Sequence, residues 1–129
     1  APPGTYRDGG ILDYNLDIPF LPEESGSIVL YPHYSDRIIP GWFDKKLKKR
    51  GPVKSNMSNV LLFYPSDKFL KMLPYGRIPD RKDFAAFFGK DSERIKYWKK
   101  AAEAGRILTE EFHETVNSGR ISEYVMSFN

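Results

Sequence analysis

The sequence SIVLY at Ser27–Tyr31 is an almost continuous apolar run that is closed by Pro32. A second run of the same kind, NVLLFY at Asn59–Tyr64, is closed by Pro65. Strands that are apolar throughout, rather than alternating, are typical of parallel sheets, in which both faces are covered. We therefore predict two parallel strands, buried on both faces, at the centre of the fold.

Short helices are predicted around the second run. Trp42–Arg50 can form about two turns of helix before Gly51-Pro52 stops it, which gives a crossover between parallel strands. Ser66 is a suitable N-cap for a helix through Leu73, and Asp80 for a helix over residues 81–88. Residues 11–20, by contrast, are predicted as a loop with at most one short strand, because prolines interrupt them.

The last third of the chain has the strongest helical pattern. Apolar side chains recur there at steps of three and four: Ile95, Trp98, Ala102, Gly105, Leu108, Phe112 and Val116. This spacing predicts an amphipathic helix of roughly seven turns that ends near Gly119. Residues 121–128 are predicted as a final strand or a docked tail. The predicted fold class is α/β, with a partial, mainly parallel sheet, flanking helices and this long C-terminal amphipathic helix.

Composition excludes several classes of function. The 129 residues carry 20 basic and 17 acidic side chains, a formal net charge of +3, which is too mild to indicate a nucleic-acid partner. Without cysteine there is no disulfide or thiolate metal site, and His33 and His113 lie too far apart for metal-ligand spacing. We therefore predict no metal and no cofactor. The chain contains no apolar run of about 20 residues, so a cytoplasmic location is predicted, soluble or peripheral at a membrane.

An acid followed by two glycines, Asp8-Gly9-Gly10, precedes two aliphatic residues and is typical of a tight turn. Glycine can adopt positive φ and lets other groups approach closely, so we predict positive φ at Gly9 or Gly10. Asp8 would lie at the tip of the turn, its carboxylate fixed by local backbone N–H groups. On spacing alone, an ordinary hairpin turn is the commoner meaning of Asp-Gly.

The run Asp8–Tyr14, followed by Leu16–Phe20, resembles the catalytic-aspartate motif of patatin-like phospholipases. Leu30–His33, Pro40–Lys45 and Ile78–Phe84 resemble a bacterial branch of that family, so the likeness spans most of the chain. In this family an Asp-Gly-Gly or Asp-Gly-Ala turn supplies the acid of a Ser–Asp dyad. The family's G-x-S-x-G elbow and glycine-rich oxyanion loop lie upstream of the aspartate, and neither is present here.

The resemblance implies the C-terminal part of a serine lipid acyl hydrolase, with Asp8 as the base and the serine outside this chain. Residues 1–129 would be a single domain or a C-terminal fragment of such a domain. The start of the chain, Ala1–Gly4, does not resemble an initiator sequence and favours a fragment. The implied partners are a lipid or acyl-ester substrate and the upstream part of the same enzyme. The dyad needs no metal, and the chain alone is predicted to be inactive.

Other titratable residues near the motif are assigned weaker roles. His33 follows a predicted strand, where ligands gather in open α/β sheets, so we predict that it lines a pocket. A triad of Ser35, His33 and Asp36 is disfavoured, because triads combine residues from distant segments and neighbours on one segment should point apart. Asp13 and Asp17, like Asp36, are interpreted as structural.

The segment Trp42–Arg50, called the basic segment below, is the strongest charge feature. It places five cations directly after Trp42 and Phe43: Lys45, Lys46, Lys48, Lys49 and Arg50. A solvated helix face is the commonest meaning of such a run. The functional alternative is a membrane patch, because cations beside an interfacial tryptophan suit an anionic bilayer. No nucleic-acid binding is expected, since interleaved aromatic residues are absent. The competing class is thus a non-enzymatic module that binds anionic membrane or a protein.

Overall fold

In the computed structural model, which describes residues 2–127, the chain divides between Tyr64 and Pro65 into two compact units. The first unit contains a small parallel sheet and several 3₁₀ helices, and the second is helical. The predicted mixture of helices with a parallel sheet and a long C-terminal helix is therefore confirmed at this coarse level.

The sheet of the first unit consists of β1 (Val29–Pro32) and β2 (Val60–Phe63), paired in parallel with Val29 opposite Val60. Both strands were predicted, and so was their direction. The prediction that they are buried on both faces is wrong: β1 alternates between half-buried and exposed residues, and Leu30 is 43% exposed. Within the described residues the sheet has only these two strands, and the side of β1 that carries Leu30 and Pro32 is exposed.

The connection between the strands is less helical than predicted. The basic segment forms only a 3₁₀ helix, Trp42–Lys46, and a second 3₁₀ helix follows at Lys54–Met57. On a longer helix, cations of this segment would lie three and four positions apart, as Lys45 and Lys49 do, and like charges at that spacing repel each other. The Arg37 guanidinium also bonds the carbonyl oxygens of Leu47 (2.5 Å) and Arg50 (3.0 Å), which therefore point to a side chain rather than along a helix.

Residues 12–22, between the 3₁₀ helices Gly9–Ile11 and Glu23–Ser25, form the predicted loop. Asn15 is buried and fastens this loop to the segment around Ile38, the most buried residue of the unit at 1% exposure. The Asn15 side-chain oxygen accepts the Ile39 N–H at 2.7 Å, and the Asn15 N–H donates to the Ile39 carbonyl at 3.0 Å. The N-terminal loop is thus held to the strand-to-strand connection.

Over residues 65–127, the second unit contains four α-helices: α1 (Asp67–Met72), α2 (Asp83–Ala86), α3 (Asp91–Asn117) and α4 (Ile121–Tyr124). The Ser66 hydroxyl accepts the Phe69 N–H at 3.2 Å, which confirms the predicted cap of α1. The length of α3, 27 residues, also agrees with the prediction. Residues 121–124 are helical, so the predicted final strand is wrong there, and Phe128 lies outside the described residues.

The buried face of α3 differs from the predicted stripe. Ile95 and Val116 are 47% and 42% exposed, whereas Tyr97, absent from the stripe, is only 3% exposed. The Tyr97 ring packs against Tyr75 with centroids 4.9 Å apart, and its hydroxyl donates to the Arg77 carbonyl at 2.6 Å. Tyrosine is buried where its hydroxyl finds a hydrogen-bond partner. Burial of Tyr97 therefore turns the buried face of α3 away from the predicted stripe. Among the described helices, none has the length and apolar character needed to cross a bilayer.

Candidate functional site

Asp8 lies where a short helix begins. It is the N-cap of the 3₁₀ helix Gly9–Ile11, and its Oδ1 accepts the Gly10 N–H at 2.7 Å. This bond fixes the direction of the carboxylate. The residue is exposed, so the carboxylate also remains open to solvent. The prediction that local backbone N–H groups fix this carboxylate is confirmed. We call Asp8–Leu12 the Asp8 turn.

The prediction of positive φ at Gly9 or Gly10 is wrong. Positive-φ glycines in the described chain are Gly26, Gly76, Gly89 and Gly119. A 3₁₀ turn needs no left-handed residue, so glycine serves another purpose here. A Cβ on Gly10 would lie 3.1 Å from Asp8 Oδ1, whereas a Cβ on Gly9 would meet nothing within 4 Å. Gly10 therefore supplies the space in which the carboxylate folds back onto its N–H.

Gly41 allows the Asp8 turn to pack closely against the start of the basic segment. Its N–H donates to Asp44 Oδ2 at 3.1 Å, at the start of the 3₁₀ helix Trp42–Lys46. A Cβ on Gly41 would lie 2.9 Å from the Ile11 carbonyl oxygen, closer than side chains approach backbone. The absence of a side chain thus lets the turn pack directly on the basic segment. Sequence reasoning did not assign Gly41 this role, and its only local signal is the Pro40-Gly41 dipeptide.

Replacing Gly41 by Ala is expected to displace the Asp8 turn, because the new methyl group would overlap the Ile11 carbonyl. Such overpacking typically costs about 1–3 kcal/mol in the free energy of unfolding. Urea unfolding and amide hydrogen exchange at Gly10 would measure both effects. Gly9→Ala is the matched control, since open space surrounds that position. Equal stability and equal exchange in the two variants would contradict the assigned role of Gly41.

His33 and Ser35 are closer than predicted. The Ser35 hydroxyl lies 3.4 Å from His33 Nδ1, so the expectation that the two side chains point apart is wrong. The hydroxyl nevertheless donates to the Arg37 carbonyl at 3.1 Å, and Nδ1 is 2.9 Å from the Ser35 carbonyl. Nδ1 also lies 3.3 Å from the Ser35 backbone nitrogen, so its contacts are mainly with the backbone of the same turn. The arrangement stabilises a turn and gives Ser35 no base.

His33 does not line the cavity that is described in the first unit. His33 Nε2 is buried and, within the described residues, has no hydrogen-bond partner. A cavity of about 160 Å³ lies elsewhere in the first unit, lined by Pro19, Leu21, Ser55, Asn56, Ser58 and Asn59. His33 is not among these residues, so a role in a pocket stays a prediction.

Asp17 is structural, as interpreted from the sequence. Its carboxylate accepts the Val53 N–H at 3.1 and 3.0 Å and the Asn56 side-chain amide at 3.0 Å. These bonds tie the N-terminal loop to the turn that precedes β2. Asp13 and Asp36 are exposed. Both oxygens of the Asp17 carboxylate accept hydrogen bonds that stabilise the fold. Asp8 differs, because only its Oδ1 accepts a backbone hydrogen bond.

The cations of the basic segment fall into two groups. Lys45 Nζ lies over the Trp42 ring, 3.2 Å from its centroid, and over the Tyr14 ring at 3.9 Å. Arg50 pairs with Asp44 at 3.6 Å. The other three lysines are exposed and make no ion pair with any described residue: Lys46, Lys48 and Lys49. These three lysines are therefore available to a partner.

A buried polar cluster in the second unit escaped sequence reasoning. The Asp83 carboxylate is fully buried and accepts hydrogen bonds from Arg77, from Trp98 Nε1 at 2.9 Å and from the Asp80 N–H at 3.0 Å. Burial by itself raises the pKa of Asp83, but the bonds from Arg77, Trp98 and Asp80 outweigh it and the pKa is lowered. The carboxylate is saturated with donors, which fits a structural role.

Within residues 2–127, Asp8 is thus an acid whose geometry suits proton transfer: exposed, oriented, and with Oδ2 free of hydrogen bonds. No group of histidine, cysteine and acidic residues in this described range could hold a metal ion. No protein-family model, curated protein or solved structure matches the chain. The patatin-like resemblance stays a prediction, carried by the residues quoted above.

Proposed function

We propose that this chain is the C-terminal part of a serine lipid acyl hydrolase of the patatin-like type, with Asp8 as the base of a Ser–Asp dyad. The observation that carries the proposal is the exposed Asp8 carboxylate, held on one oxygen by the Gly10 N–H at 2.7 Å. The nucleophilic serine and the oxyanion donors would come from residues outside this chain. The substrate class is a lipid or other long-chain acyl ester.

The chemistry needs a base that is both oriented and accessible. A serine hydroxyl attacks the ester carbonyl carbon while its proton passes to Asp8 Oδ2. The tetrahedral intermediate then expels the alcohol, which takes that proton, and an acyl-enzyme remains. Water attacks the acyl-enzyme, again giving its proton to Asp8, and the fatty acid leaves as the serine regains a proton. The bond from Gly10 to Oδ1 keeps Oδ2 directed outward through both steps.

The small sheet fits this proposal. A two-stranded sheet is marginal by itself, and the exposed apolar residues of β1 and its approach, Leu30 and Ile28 at 43% and 73% exposure, favour an additional covering layer. In the proposed enzyme, β1 and β2 belong to a larger, mainly parallel sheet with flanking helices, completed by the upstream part. Hydrogen-exchange protection of the β1 amides should then rise when that part is present.

The purified 129-residue chain should show no turnover of a chromogenic acyl ester. It lacks the proposed nucleophile and the oxyanion donors, and loss of one such donor alone typically slows hydrolysis by about 100-fold or more. Ser35→Ala serves as the control, because the Ser35 hydroxyl contacts His33. Robust turnover that disappears in Ser35→Ala would contradict the proposal and transfer the nucleophile to Ser35.

A further inference from the structure

The basic segment combines exposed apolar side chains with free cations on one short stretch. Phe43 is 74% and Leu47 53% exposed, although both are large and apolar. Lys46 lies between them, and Lys48 and Lys49 follow directly. Exposed large apolar side chains placed among free cations have the composition of a surface that binds a membrane interface.

Two cations, Arg37 and Lys45, hold the basic segment in place. The Arg37 guanidinium bonds the carbonyl oxygens of Asp44, Leu47 and Arg50 at 3.4, 2.5 and 3.0 Å. Lys45 is stacked on aromatic rings, as described above. A surface that is ordered before it binds loses little conformational entropy on binding. The segment therefore presents its outward-facing residues in a fixed arrangement.

We propose that the basic segment is a docking surface for an anionic lipid bilayer. Phe43 and Leu47 would enter the interfacial layer, while Lys46, Lys48 and Lys49 contact the lipid phosphates. Apolar anchors flanked by cations are the chemistry of interfacial binding. A single-stranded nucleic acid stacks successive bases on several aromatic rings, whereas in this segment Lys45 covers the Trp42 ring and leaves Phe43 as its one open aromatic residue.

The position of this surface matters for the Asp8 turn. The 3₁₀ helix Gly9–Ile11 contacts the 3₁₀ helix Trp42–Lys46, and Leu12, at the end of the turn, is 87% exposed. Docking of the basic segment would therefore bring the Asp8 turn to the lipid interface. The inference goes beyond the proposed hydrolysis, because bilayer binding requires none of the dyad chemistry.

Co-sedimentation of the full chain with phosphatidylcholine vesicles, with and without phosphatidylserine, tests the charged part. The variant Lys46→Gln/Lys48→Gln/Lys49→Gln is compared with Lys96→Gln/Lys99→Gln/Lys100→Gln, whose lysines are exposed on α3. Both variants lower the formal net charge from +3 to zero, so only position differs. Each lysine at an anionic surface contributes roughly fivefold to partitioning, so the first variant should lose on the order of 100-fold and the control far less.

A second pair of variants tests the apolar part. Phe43→Ser should weaken binding, whereas Phe88→Ser, at 89% exposure in the second unit, should not. Asp8→Asn should bind vesicles at least as tightly as the original chain, because it removes a negative charge near an anionic surface, and this retained binding separates docking from hydrolysis. Unchanged far-UV circular dichroism would show that each variant is folded. Absence of binding to phosphatidylserine vesicles, equal losses in the two lysine variants, or tighter binding to single-stranded RNA than to vesicles would overturn the proposal.

Discussion

Replacing Asp8 by Asn is expected to abolish ester hydrolysis in an enzyme that contains this chain together with the nucleophilic serine. The asparagine oxygen can still accept the Gly10 N–H, so the turn should keep its shape. The amide cannot take the proton of the serine, however. Because a positioned general base typically contributes about 100- to 10,000-fold, kcat should fall by that factor. KM should change little, since binding of the substrate's acyl chain does not depend on this carboxylate.

The matched control for this prediction is Asp13→Asn. Asp13 is also exposed and follows Asp8 by five positions, so its replacement removes the same charge from the same loop. Steady-state kinetics on an acyl ester, with thermal unfolding to verify the fold, would compare the two variants. Wild-type kcat in Asp8→Asn, or an equal loss in both variants, would rule out Asp8 as the base. Vesicle binding without any hydrolysis in the enzyme would favour the non-enzymatic alternative.

Much of the secondary structure was predictable because its causes are local. Proline ends the apolar runs of β1 and β2, a serine hydroxyl caps α1, and glycines with φ near 72° follow α2 and α3. Each of these signals acts over a few residues. Burial of β1 was not predictable in the same way, because exposure of Leu30 depends on which elements cover the sheet and not on Leu30 itself.

In the candidate site, too, local contacts were predictable from the sequence and long-range contacts were not. The bond between the Asp8 carboxylate and the Gly10 N–H spans two residues, and the spacing of acid and glycine was sufficient to predict it. Contact between the Ile11 carbonyl and Gly41 spans thirty positions, and nothing in either local sequence pairs them. Arg37 is likewise an ordinary cation in sequence, and its role appears only when three carbonyl groups converge on its guanidinium.

Replacing Asp83 by Asn is expected to produce the largest loss of stability in the second unit. The carboxylate is fully buried and ion-paired with Arg77, and the amide would present an N–H₂ group to donors that need an acceptor. Breaking a buried pair typically costs about 3–5 kcal/mol. Arg77 is 40% exposed, so water can rehydrate the cation that remains. We therefore expect a loss near the lower end, about 3 kcal/mol in the free energy of unfolding.

The pH dependence of that loss distinguishes the ion pair from simple packing. The pKa of Asp83 is raised by burial but lowered overall by its donors, so the folded value lies below the unfolded one. Its contribution to stability is then complete above the unfolded pKa, about 4, and disappears as the pH falls through the folded value. Urea unfolding followed by circular dichroism should show a larger acid-side loss of stability in the original chain than in Asp83→Asn, the difference being the share of Asp83. Asp91→Asn, which removes an acid that is 75% exposed and paired with Arg94, should cost less than about 1 kcal/mol. If the two variants were equally stable, or if Asp83→Asn kept the acid-side loss in full, Asp83 would be a packing residue whose charge contributes nothing to the fold.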